Sequence, residues 1–214
     1  MHTLIISGGR IEEDFALTFL KDHSFDYIIA ADKGLEFAQR AQLIPNLIVG
    51  DFDSSDRSLP EQYETQGIEV HYYKPQKDAT DMEIAMEAAL EAGSTRITVL
   101  GATGTRMDHV LGSIKNLTMA AEKNVEAELV DSHNRIRLLN HGIKIRKSEQ
   151  YGHYVSLLAH AEEVRGLTLK GFFYPLKDYC LTADSALGVS NEITEEVGEI
   201  SFSSGRLLLI ESRD

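Results

Sequence analysis

Two aspartates, Asp51 and Asp53, stand two residues apart directly after the short apolar run Leu47-Ile48-Val49. In an extended segment, side chains two residues apart lie on the same side, so both carboxylates can reach one point while Phe52 points into the core. Magnesium prefers hard oxygen ligands and leaves positions for water and phosphate oxygens. The spacing allows a magnesium site for a phosphate-bearing substrate, and an acidic turn that caps local N–H groups fits it equally well.

A second acidic segment, Lys77-Asp78-Ala79-Thr80-Asp81, opens a stretch with helical periodicity. Asp78 and Asp81 are three residues apart and share one side of the first turn, where they add to the acidic cluster. Thr80 and Glu83 match a Thr-x-x-Glu capping box, so a structural role is favoured for these two residues. Because the cap already stands at Thr80, the carboxylate of Asp78 has no local purpose, and a metal or phosphate role is favoured for it.

A glycine-containing loop, Gly101-Ala102-Thr103-Gly104-Thr105-Arg106-Met107-Asp108-His109, separates a strand-like run from a helical pattern. Glycines let backbone N–H groups approach a phosphate, and the following helix N-terminus adds a favourable partial charge. The loop is not a Walker loop, because Gly-Lys-Ser/Thr is absent. The planar fork of Arg106 suits a phosphate, whereas Asp108 and His109 either hold that fork or cap the helix.

Two more loops directly follow strand-like runs and have two interpretations each. Ser7-Gly8-Gly9 comes after the first run, and Ala31-Asp32-Lys33-Gly34 comes after the second. Either loop fits a nucleotide-facing turn or an ordinary glycine turn. Ligands of open parallel sheets bind at the carboxyl ends of the strands, so the shared placement of these loops favours a common site.

The elements that must position these loops alternate between strand and helix patterns, which is typical of a parallel α/β sheet. We predict strands at Leu4–Ser7, Tyr27–Ala31, Leu47–Val49, Glu69–Tyr72, Arg96–Leu100 and Ala127–Val130. We predict helices at Glu12–Lys21, Gly34–Ala41, Leu59–Gln66, Thr80–Ala92 and Arg106–Lys123.

After about Asp131 strand-like runs follow one another without helices, which predicts an antiparallel β-sandwich or barrel. Asn140-His141-Gly142 predicts a hairpin between the first two of these runs. The predicted strands are Arg135–Leu139, Lys144–Lys147, Tyr154–Ala159, Val164–Leu169, Leu187–Ser190, Gly198–Phe202 and Leu207–Ile210. The fold class from these patterns is an N-terminal Rossmann-like α/β domain with a mostly parallel sheet, followed by an all-β sandwich or barrel.

Charge and composition narrow the class of partner. The chain has 214 residues, and its 21 Lys+Arg against 34 Asp+Glu give a formal net charge of −13, which opposes binding to nucleic acid or an anionic membrane surface. A single cysteine, Cys180, excludes an intramolecular disulfide, and no apolar run approaches the ~20 residues of a membrane span. The expected location is the cytoplasm.

Taken in order, five segments resemble the thiamine pyrophosphokinase (thiamine diphosphokinase) family. Each is weak alone, but the ordered set is specific and spans both halves of the chain. The family often has a second glycine where this chain has Lys33, and it has glycines at some positions where this chain has Ala102 and Thr105. These differences bear on the geometry of the loops more than on membership of the family. The segments are Ala31-Asp32-Lys33-Gly34, Gly50-Asp51-Phe52-Asp53-Ser54, Asp78-Ala79-Thr80-Asp81-Met82-Glu83, Gly101 to His109, and Ser190-Asn191-Glu192.

The resemblance implies an enzyme that carries the terminal diphosphate of ATP to the hydroxyl of thiamine, with Mg²⁺ as cofactor and AMP as second product. It implies a nucleotide-binding and catalytic α/β domain over residues 1–131 and a thiamine-binding β-sandwich over residues 132–214. It further implies a homodimer in which thiamine lies between the α/β domain of one subunit and the β domain of the other.

Carried over residue by residue, the resemblance implies three groups of site residues. Either Asp53 or Asp78 is the candidate to accept the hydroxyl proton of thiamine, although positioning is expected to matter more than base strength. The catalytic group is Asp51, Asp53, Asp78, Thr80 and Asp81, of which Asp51, Asp53 and Asp78 hold the metal. The ATP-binding group is Asp32, Lys33, Gly34, Lys77, Gly101, Thr103, Gly104, Arg106, Asp108 and His109, and the thiamine-binding group is Ser190 and Asn191.

Four aromatic residues of the second half have two interpretations. Phe172, Phe173, Tyr174 and Tyr179 offer a stacking surface for the cationic thiazolium ring. A β-sandwich core uses the same residue types, and the core interpretation is favoured.

Two other functions fit part of the pattern. A Mg²⁺-dependent phosphohydrolase uses paired carboxylates after a strand, but it leaves the Gly101 to His109 loop and the all-β half unexplained. A non-catalytic sensor of nucleotide or thiamine predicts binding without turnover, and the full set of acidic residues argues against it.

Overall fold

Apolar runs alternate with helices in the first of two units and build a parallel sheet. The structure, a computed structural model, describes residues 1–52, 58–74 and 79–214, and the chain divides into the units Met1–Ser132 and His133–Asp214. The elements of the first unit are β1 (His2–Ile6), α1 (Glu13–Asp22), β2 (Tyr27–Ala31), α2 (Gly34–Arg40), β3 (Leu47–Gly50), α3 (Ser58–Thr65), β4 (Glu69–Tyr72), α4 (Asp81–Glu91), β5 (Arg96–Leu100), α5 (Met107–Glu122) and β6 (Glu126–Val130).

The strands of this unit are all parallel and lie in the order β4-β3-β2-β1-β5-β6. Successive strands are added on one side of β1 as far as β4, and the chain then returns to place β5 on the other side. Strand β1 is central and completely buried over Leu4, Ile5 and Ile6. The order reverses between β1 and β5, which is the kind of crevice where open α/β sheets bind ligands.

Every strand and helix predicted for the first half is present, with ends displaced by a few residues. Thr80 caps α4 as predicted, because its hydroxyl accepts a hydrogen bond from the N–H of Glu83 at 3.2 Å. The pattern is strongest for central strands such as β1, because they are buried on both faces and contrast sharply with the helices.

The second unit contains two antiparallel sheets. One has the order β7-β13-β9 and the other β11-β10-β12-β8. A short 3₁₀ helix, Lys147–Glu149, follows β8. The strands are β7 (Asn134–Leu139), β8 (Ile143–Arg146), β9 (Tyr154–Ala159), β10 (Glu163–Lys170), β11 (Leu176–Thr182), β12 (Val197–Ser201) and β13 (Leu207–Ser212).

One hydrophobic core lies between these two sheets and makes the second unit a sandwich, as predicted. Leu157 and Leu209 come from the first sheet, and Leu167, Leu181 and Ile200 come from the second. No helix within the described residues is long and apolar enough to cross a membrane.

The predicted hairpin across Asn140-His141-Gly142 is wrong, because β7 and β8 belong to different sheets. Strand β7 pairs with β13, whereas β8 pairs with β12. Gly142 lies against this second sheet, where an added Cβ would stand 2.5 Å from the carbonyl oxygen of Ile200. The connection therefore crosses between the layers instead of folding back on itself.

The predicted strand at Leu187–Ser190 is also wrong, and a different segment supplies the strand. Leu187 and Val189 are exposed, and the chain passes through successive turns here. The carbonyl of Gly188 accepts a backbone hydrogen bond from the N–H of Leu157. The strand is instead β11, whose residues are mostly exposed at the edge of its sheet. An edge strand without alternating apolar residues gives no periodic signal.

Candidate active site

The loops that follow β1, β2, β3 and β5 converge at the carboxyl edge of the parallel sheet. The strands of a parallel sheet all end at the same edge, so Asp32 after β2, Asp51 after β3 and Gly101 after β5 lie on that edge. The N–H of Asp32 donates to the carbonyl of Val49 at 2.9 Å, which holds the loop after β2 beside the end of β3. This edge is the candidate active site.

Asp32 has a backbone conformation and surroundings unlike those of an ordinary surface aspartate. Its φ of +47° lies in the left-handed region, which a non-glycine residue adopts at a cost. Its Oδ1 is buried and has no hydrogen-bond partner among the described residues. Burial raises the pKa of the Asp32 carboxyl, and the nearby carboxylates of Asp81 and Asp51 raise it further. The carboxyl groups of Asp32, Asp51 and Asp81 therefore influence one another electrostatically, and that of Asp32 is partly desolvated.

Asp51 is half-buried at the end of β3, and Phe52 behind it is buried as predicted, at 2% exposure. Phe52 contacts the ring of Tyr72 edge-on, with 5.8 Å between ring centroids, which fixes the backbone that carries Asp51. Asp53 lies outside the described residues. The extended backbone assumed for this segment is wrong at Phe52, whose φ of +52° lies in the left-handed region, so only the pairing of Asp51 with Asp53 stays a prediction.

The acidic segment before α4 is described from Ala79 onward, and Lys77 and Asp78 lie outside the described residues. Asp81 is the first residue of α4, directly after the cap at Thr80. Among the described side chains, no group of three or more His, Cys, Asp or Glu residues is arranged to hold a metal ion. Since that search did not include Asp53 or Asp78, the predicted metal ligands stay a prediction.

The start of α2 brings Lys33 and Gly34 to the same edge. Gly34 packs directly on β1, because an added Cβ would stand 2.0 Å from the carbonyl oxygen of Ile6. Only glycine allows this approach, and it draws the N-terminus of α2 against the sheet. Lys33 precedes the helix with its side chain exposed, as a cation beside Asp32.

The loop after β5 turns sharply at Gly101, which has a φ of +75°. An added Cβ at Gly101 would stand 2.4 Å from the carbonyl oxygen of Ser7, so this loop lies directly against the loop after β1. Further along, the hydroxyl oxygen of Thr103 is buried without a hydrogen-bond partner among the described residues. Asp32 and Thr103 thus both present unsatisfied buried oxygens at this edge, which is consistent with a polar ligand.

Arg106 and Asp108 form a two-pronged ion pair at the start of α5. The Nε of Arg106 donates to Oδ1 of Asp108 at 3.2 Å, and Nη2 donates to Oδ2 at 2.5 Å. Hydrogen bonding with Arg106 lowers the pKa of Asp108 and raises that of the guanidinium. Oδ1 also accepts the N–H of His109, whose side chain is exposed. Of the two interpretations of Asp108, the one in which it holds the fork of Arg106 matches this geometry.

In the second unit, Ser190 and Asn191 stand beside a pair of exposed aromatic rings. The side chain of Asn191 is almost fully buried: its Nδ2 donates to the carbonyl of Tyr174, and its Oδ1 accepts from the N–H of Tyr174. Ser190 has a φ of +57°, and its N–H donates to the hydroxyl of Ser156. Asn191 thus clamps the backbone next to the Phe173 ring.

The favoured core interpretation is correct for Phe172 and wrong for the other three aromatic residues. Phe172 is buried, while Phe173 and Tyr174 are 60% and 63% exposed and Tyr179 is 37% exposed. The rings of Phe173 and Tyr174 meet edge-on, with centroids 4.8 Å apart. Large exposed aromatic pairs are unusual on a solvated surface and mark a candidate contact surface.

Sequence reasoning placed Asp32 in the nucleotide pocket and missed its electrostatic coupling to Asp51 and Asp81. The signal was present, because Asp32 follows a strand just as Asp51 does. It was weak because a single aspartate in a glycine turn has many structural explanations.

Comparison with known proteins gives matches in both units. The model of the thiamin pyrophosphokinase catalytic domain matches residues 21–129, and that of the thiamin pyrophosphokinase vitamin B1 binding domain matches residues 140–207. A thiamine pyrophosphokinase of Bacillus subtilis is 35% identical over 186 residues, which cover 87% of each chain.

Solved structures with the same chain path include two bacterial relatives. The crystal structure of thiamine pyrophosphokinase from Bacillus subtilis superposes with a TM-score of 0.87 at 33% identity, covering 100% of both chains. That of thiamin pyrophosphokinase from Geobacillus thermodenitrificans has a TM-score of 0.84 at 31% identity, covering 100% of this chain and 98% of the other.

Proposed function

The chain belongs to the thiamine pyrophosphokinase family, and from this membership we propose that it transfers the terminal diphosphate of ATP to the hydroxyl oxygen of thiamine. The products are thiamine diphosphate and AMP. In the step, a bond forms between the thiamine oxygen and the β-phosphorus, and the bond from the β-phosphorus to the α,β-bridging oxygen breaks. The electron pair leaves with AMP, and the hydroxyl proton passes to a base.

The observation that carries this proposal is the placement of Asp32, Asp51 and Asp81 at one edge of the sheet, beside loops suited to phosphate. Burial raises the pKa of the Asp32 carboxyl, and repulsion from the carboxylates of Asp81 and Asp51 adds to that rise. Such a group is expected where a cation balances it, and the phosphates of ATP normally arrive with one.

The donors at this edge are hard carboxylate oxygens, the kind that Mg²⁺ prefers, and the buried Oδ1 of Asp32 lacks a partner among the described residues. Asp32, Asp51 and Asp81 do not by themselves form a group that could hold the ion. We assign Asp51, Asp53 and Asp78 as the ligands, with Asp81 in support. Bound Mg²⁺ supplies charge neutralisation at the phosphate oxygens. Asp53 or Asp78 accepts the proton of the thiamine hydroxyl, and the cap at Thr80 fixes the start of α4, where Asp81 lies.

The nucleotide phosphates lie against the loops after β2 and β5. Lys33, Lys77 and Arg106 supply the positive charge that a chain of −13 otherwise lacks. Gly34, Gly101 and Gly104 bring backbone close to the phosphates, and Thr103 offers its unsatisfied hydroxyl. Asp108 acts through Arg106, and His109 stands behind Asp108 at the helix start.

Thiamine binds at the surface defined by Ser190, Asn191, Phe173 and Tyr174. Asn191 fixes the backbone of Tyr174, and the two exposed rings offer their faces to the cationic thiazolium. We further propose a homodimer in which this surface of one subunit completes the α/β site of the other. The enzyme acts on small molecules in the cytoplasm, without nucleic acid or membrane.

An assay with ATP, Mg²⁺ and thiamine tests the reaction. AMP should appear only when thiamine is present, in equal amount to thiamine diphosphate. Phosphate release without thiamine would instead indicate a hydrolase, and binding of both ligands without turnover would indicate a sensor.

Replacing Asp51→Asn together with Asp53→Asn tests the metal site. Loss of both carboxylates should lower kcat by at least about 100-fold, the scale of removing preorganised charge at a transferring phosphoryl group. Activity that survives within about tenfold of the parent rate would show that the ion is held elsewhere.

A further inference from the structure

The loop that joins β1 to α1 lies at the point where the strand order reverses, beside the loops assigned to the nucleotide. Its residues, Ser7 to Arg10, directly follow the central strand. Ligands of open α/β sheets bind in the crevice between the two strands that diverge there, which in this chain are β1 and β5. The loop is one wall of that crevice.

Backbone hydrogen bonds tie this loop to the loop after β5. The N–H of Ser7 donates to the carbonyl of Leu100 at 2.8 Å, and the N–H of Gly9 donates to the carbonyl of Gly101 at 2.9 Å. A Cβ added at Gly9 would stand 2.3 Å from the oxygen of Gly101, so the approach requires glycine at this position. The two loops are therefore held directly against each other.

On its other side the same loop reaches the loop after β2. A Cβ added at Gly8 would lie 3.5 Å from Oδ2 of Asp32 and 3.4 Å from the backbone nitrogen of Lys33. At the far end, one added at Gly104 would lie 3.5 Å from the backbone nitrogen of Arg10. The Ser7 to Arg10 loop thus bridges the two loops assigned to the nucleotide.

Arg10 carries the positive charge of this loop. Its side chain is 71% exposed and its guanidinium stands 3.9 Å from the carboxylate of Glu12, a loose surface contact of the kind that contributes little. Arg106, by contrast, already has two N–H groups engaged by Asp108. Arg10 can therefore offer its whole planar fork to a phosphate, whereas Arg106 offers the edge that Asp108 leaves open.

We infer that Arg10 binds the phosphate chain of ATP, and that the Ser7 to Arg10 loop is the third nucleotide-binding loop of this site. This inference rests on the proposed function. Glu12 tempers the charge of Arg10 when no nucleotide is bound, and the ligand class that Arg10 selects is a nucleoside polyphosphate.

The test compares Arg10→Ala with Arg40→Ala. Arg40 pairs with Glu13 at 3.5 Å and is half exposed, but it lies at the end of α2, away from the loops after the strands. Arg10→Ala should raise the KM for ATP about tenfold, the effect of one charge-assisted phosphate contact, with the KM for thiamine and the melting temperature unchanged. Arg10→Lys should recover part of the loss, and Arg40→Ala should match the parent.

Glu12→Gln is a second test, because it should lower the KM for ATP, whereas a variant that merely disrupts the loop should raise it. Removal of the tempering carboxylate should lower the KM for ATP by about twofold, the scale of an exposed ion pair. A KM for ATP that is the same in Arg10→Ala and Arg40→Ala would overturn the inference.

Direct binding separates failure of this inference from failure of the proposed function. Calorimetry with Mg²⁺ and an ATP analogue carrying a methylene bridge between its α- and β-phosphates needs no turnover. Suppose that the parent enzyme forms no AMP in the presence of thiamine, but that Arg10→Ala binds the analogue more weakly than the parent. That result would support Arg10 as a phosphate contact and reject the proposed reaction. Equal binding by Arg10→Ala and the parent, or no binding by the parent, would reject Arg10 as a phosphate contact.

Discussion

At the scale of single residues, Asp108 shows how a carboxylate can serve an anion site without touching the anion. Its two oxygens engage Nε and Nη2 of Arg106, which leaves the Nη1 edge of the guanidinium directed elsewhere. A fork held from one side loses less freedom when it meets a phosphate on the other. Asp108 is therefore a positioning residue.

We predict that Asp108→Asn raises the KM for ATP by about fivefold, because Arg106 then samples more orientations. The double variant Arg106→Ala, Asp108→Asn should be no worse than Arg106→Ala alone, since the aspartate acts through the arginine. Steady-state kinetics of the three variants measure this coupling. A lower KM in Asp108→Asn would mean that the carboxylate competes with phosphate.

Asp32→Asn should stabilise the fold while impairing the enzyme. The pKa of Asp32 is raised in the folded state, mainly by burial. Below the ordinary pKa of aspartate both states are protonated. As pH rises, the unfolded state ionises first, so stability is lost until the pH passes the raised folded-state pKa. The asparagine variant escapes that loss at neutral pH.

The measurement is thermal unfolding without Mg²⁺, at pH 7 and again near the ordinary pKa of aspartate. The melting temperature of Asp32→Asn should exceed that of the parent at pH 7 by about 1–3 °C, a small gain because solvent screens a partly exposed carboxylate. The gain should shrink at the lower pH. Asp108→Asn is the matched control with opposite sign, because Arg106 lowers the pKa of Asp108. A gain for Asp32→Asn that is independent of pH would exclude ionisation as its cause.

At the scale of elements, the contact of α2 with β1 sets the position of Lys33 and Asp32. Gly34→Ala would place a methyl group 2.0 Å from the oxygen of Ile6 and 2.6 Å from its carbonyl carbon, and both are backbone atoms that cannot rotate away. We predict a loss of about 2–3 kcal/mol in the free energy of unfolding.

Gly112→Ala is the matched control, because Gly112 lies within α5 and an added Cβ meets nothing within 4 Å. Its free energy of unfolding should rise by up to about 1 kcal/mol through helix propensity. Denaturant midpoints of the two variants should therefore move in opposite directions. A midpoint for Gly34→Ala equal to that of the parent would mean that α2 does not depend on this close approach.

The elements also show where sequence reasoning succeeds. Buried parallel strands such as β1 and β5 were predictable, because continuous apolar runs contrast with helices. Strand β11 was not predictable, because an edge strand needs no alternation of apolar and polar residues. The segment from Leu187 to Val189 was wrongly predicted as a strand, because its apolar side chains are exposed in a turn. The loops after the strands were predictable as a site. The electrostatic interaction of Asp32 with Asp81 was not, because it depends on how α4 packs against β2 in the folded chain.

At the scale of the whole molecule, the proposed homodimer predicts complementation between two inactive variants. Asp51→Asn damages the α/β side of the site, and Phe173→Ala with Tyr174→Ala damages the thiamine side on an exposed surface that the fold does not need. Each variant alone should lose activity in its own way: the first in kcat, the second in the KM for thiamine.

Random mixing of the two variants should restore about one quarter of the parent activity, because half of the dimers are mixed and each mixed dimer has one intact site of two. The measurement is activity after joint refolding or co-expression, with the variants kept apart as the control. Mixtures no more active than the average of the separate variants would place both surfaces in one subunit, or exclude a dimer.

The clamp formed by Asn191 has a consequence for altering what the enzyme accepts. The side-chain amide of Asn191 bonds only to the main-chain N–H and carbonyl of Tyr174, at 3.0 Å and 2.9 Å. The side chains of residues 173 and 174 therefore take no part in holding this turn. A combinatorial library can therefore vary the size and polarity of the side chains at these two positions while the turn keeps its shape. Such a library is a starting point for enzymes that act on vitamin analogues with altered rings.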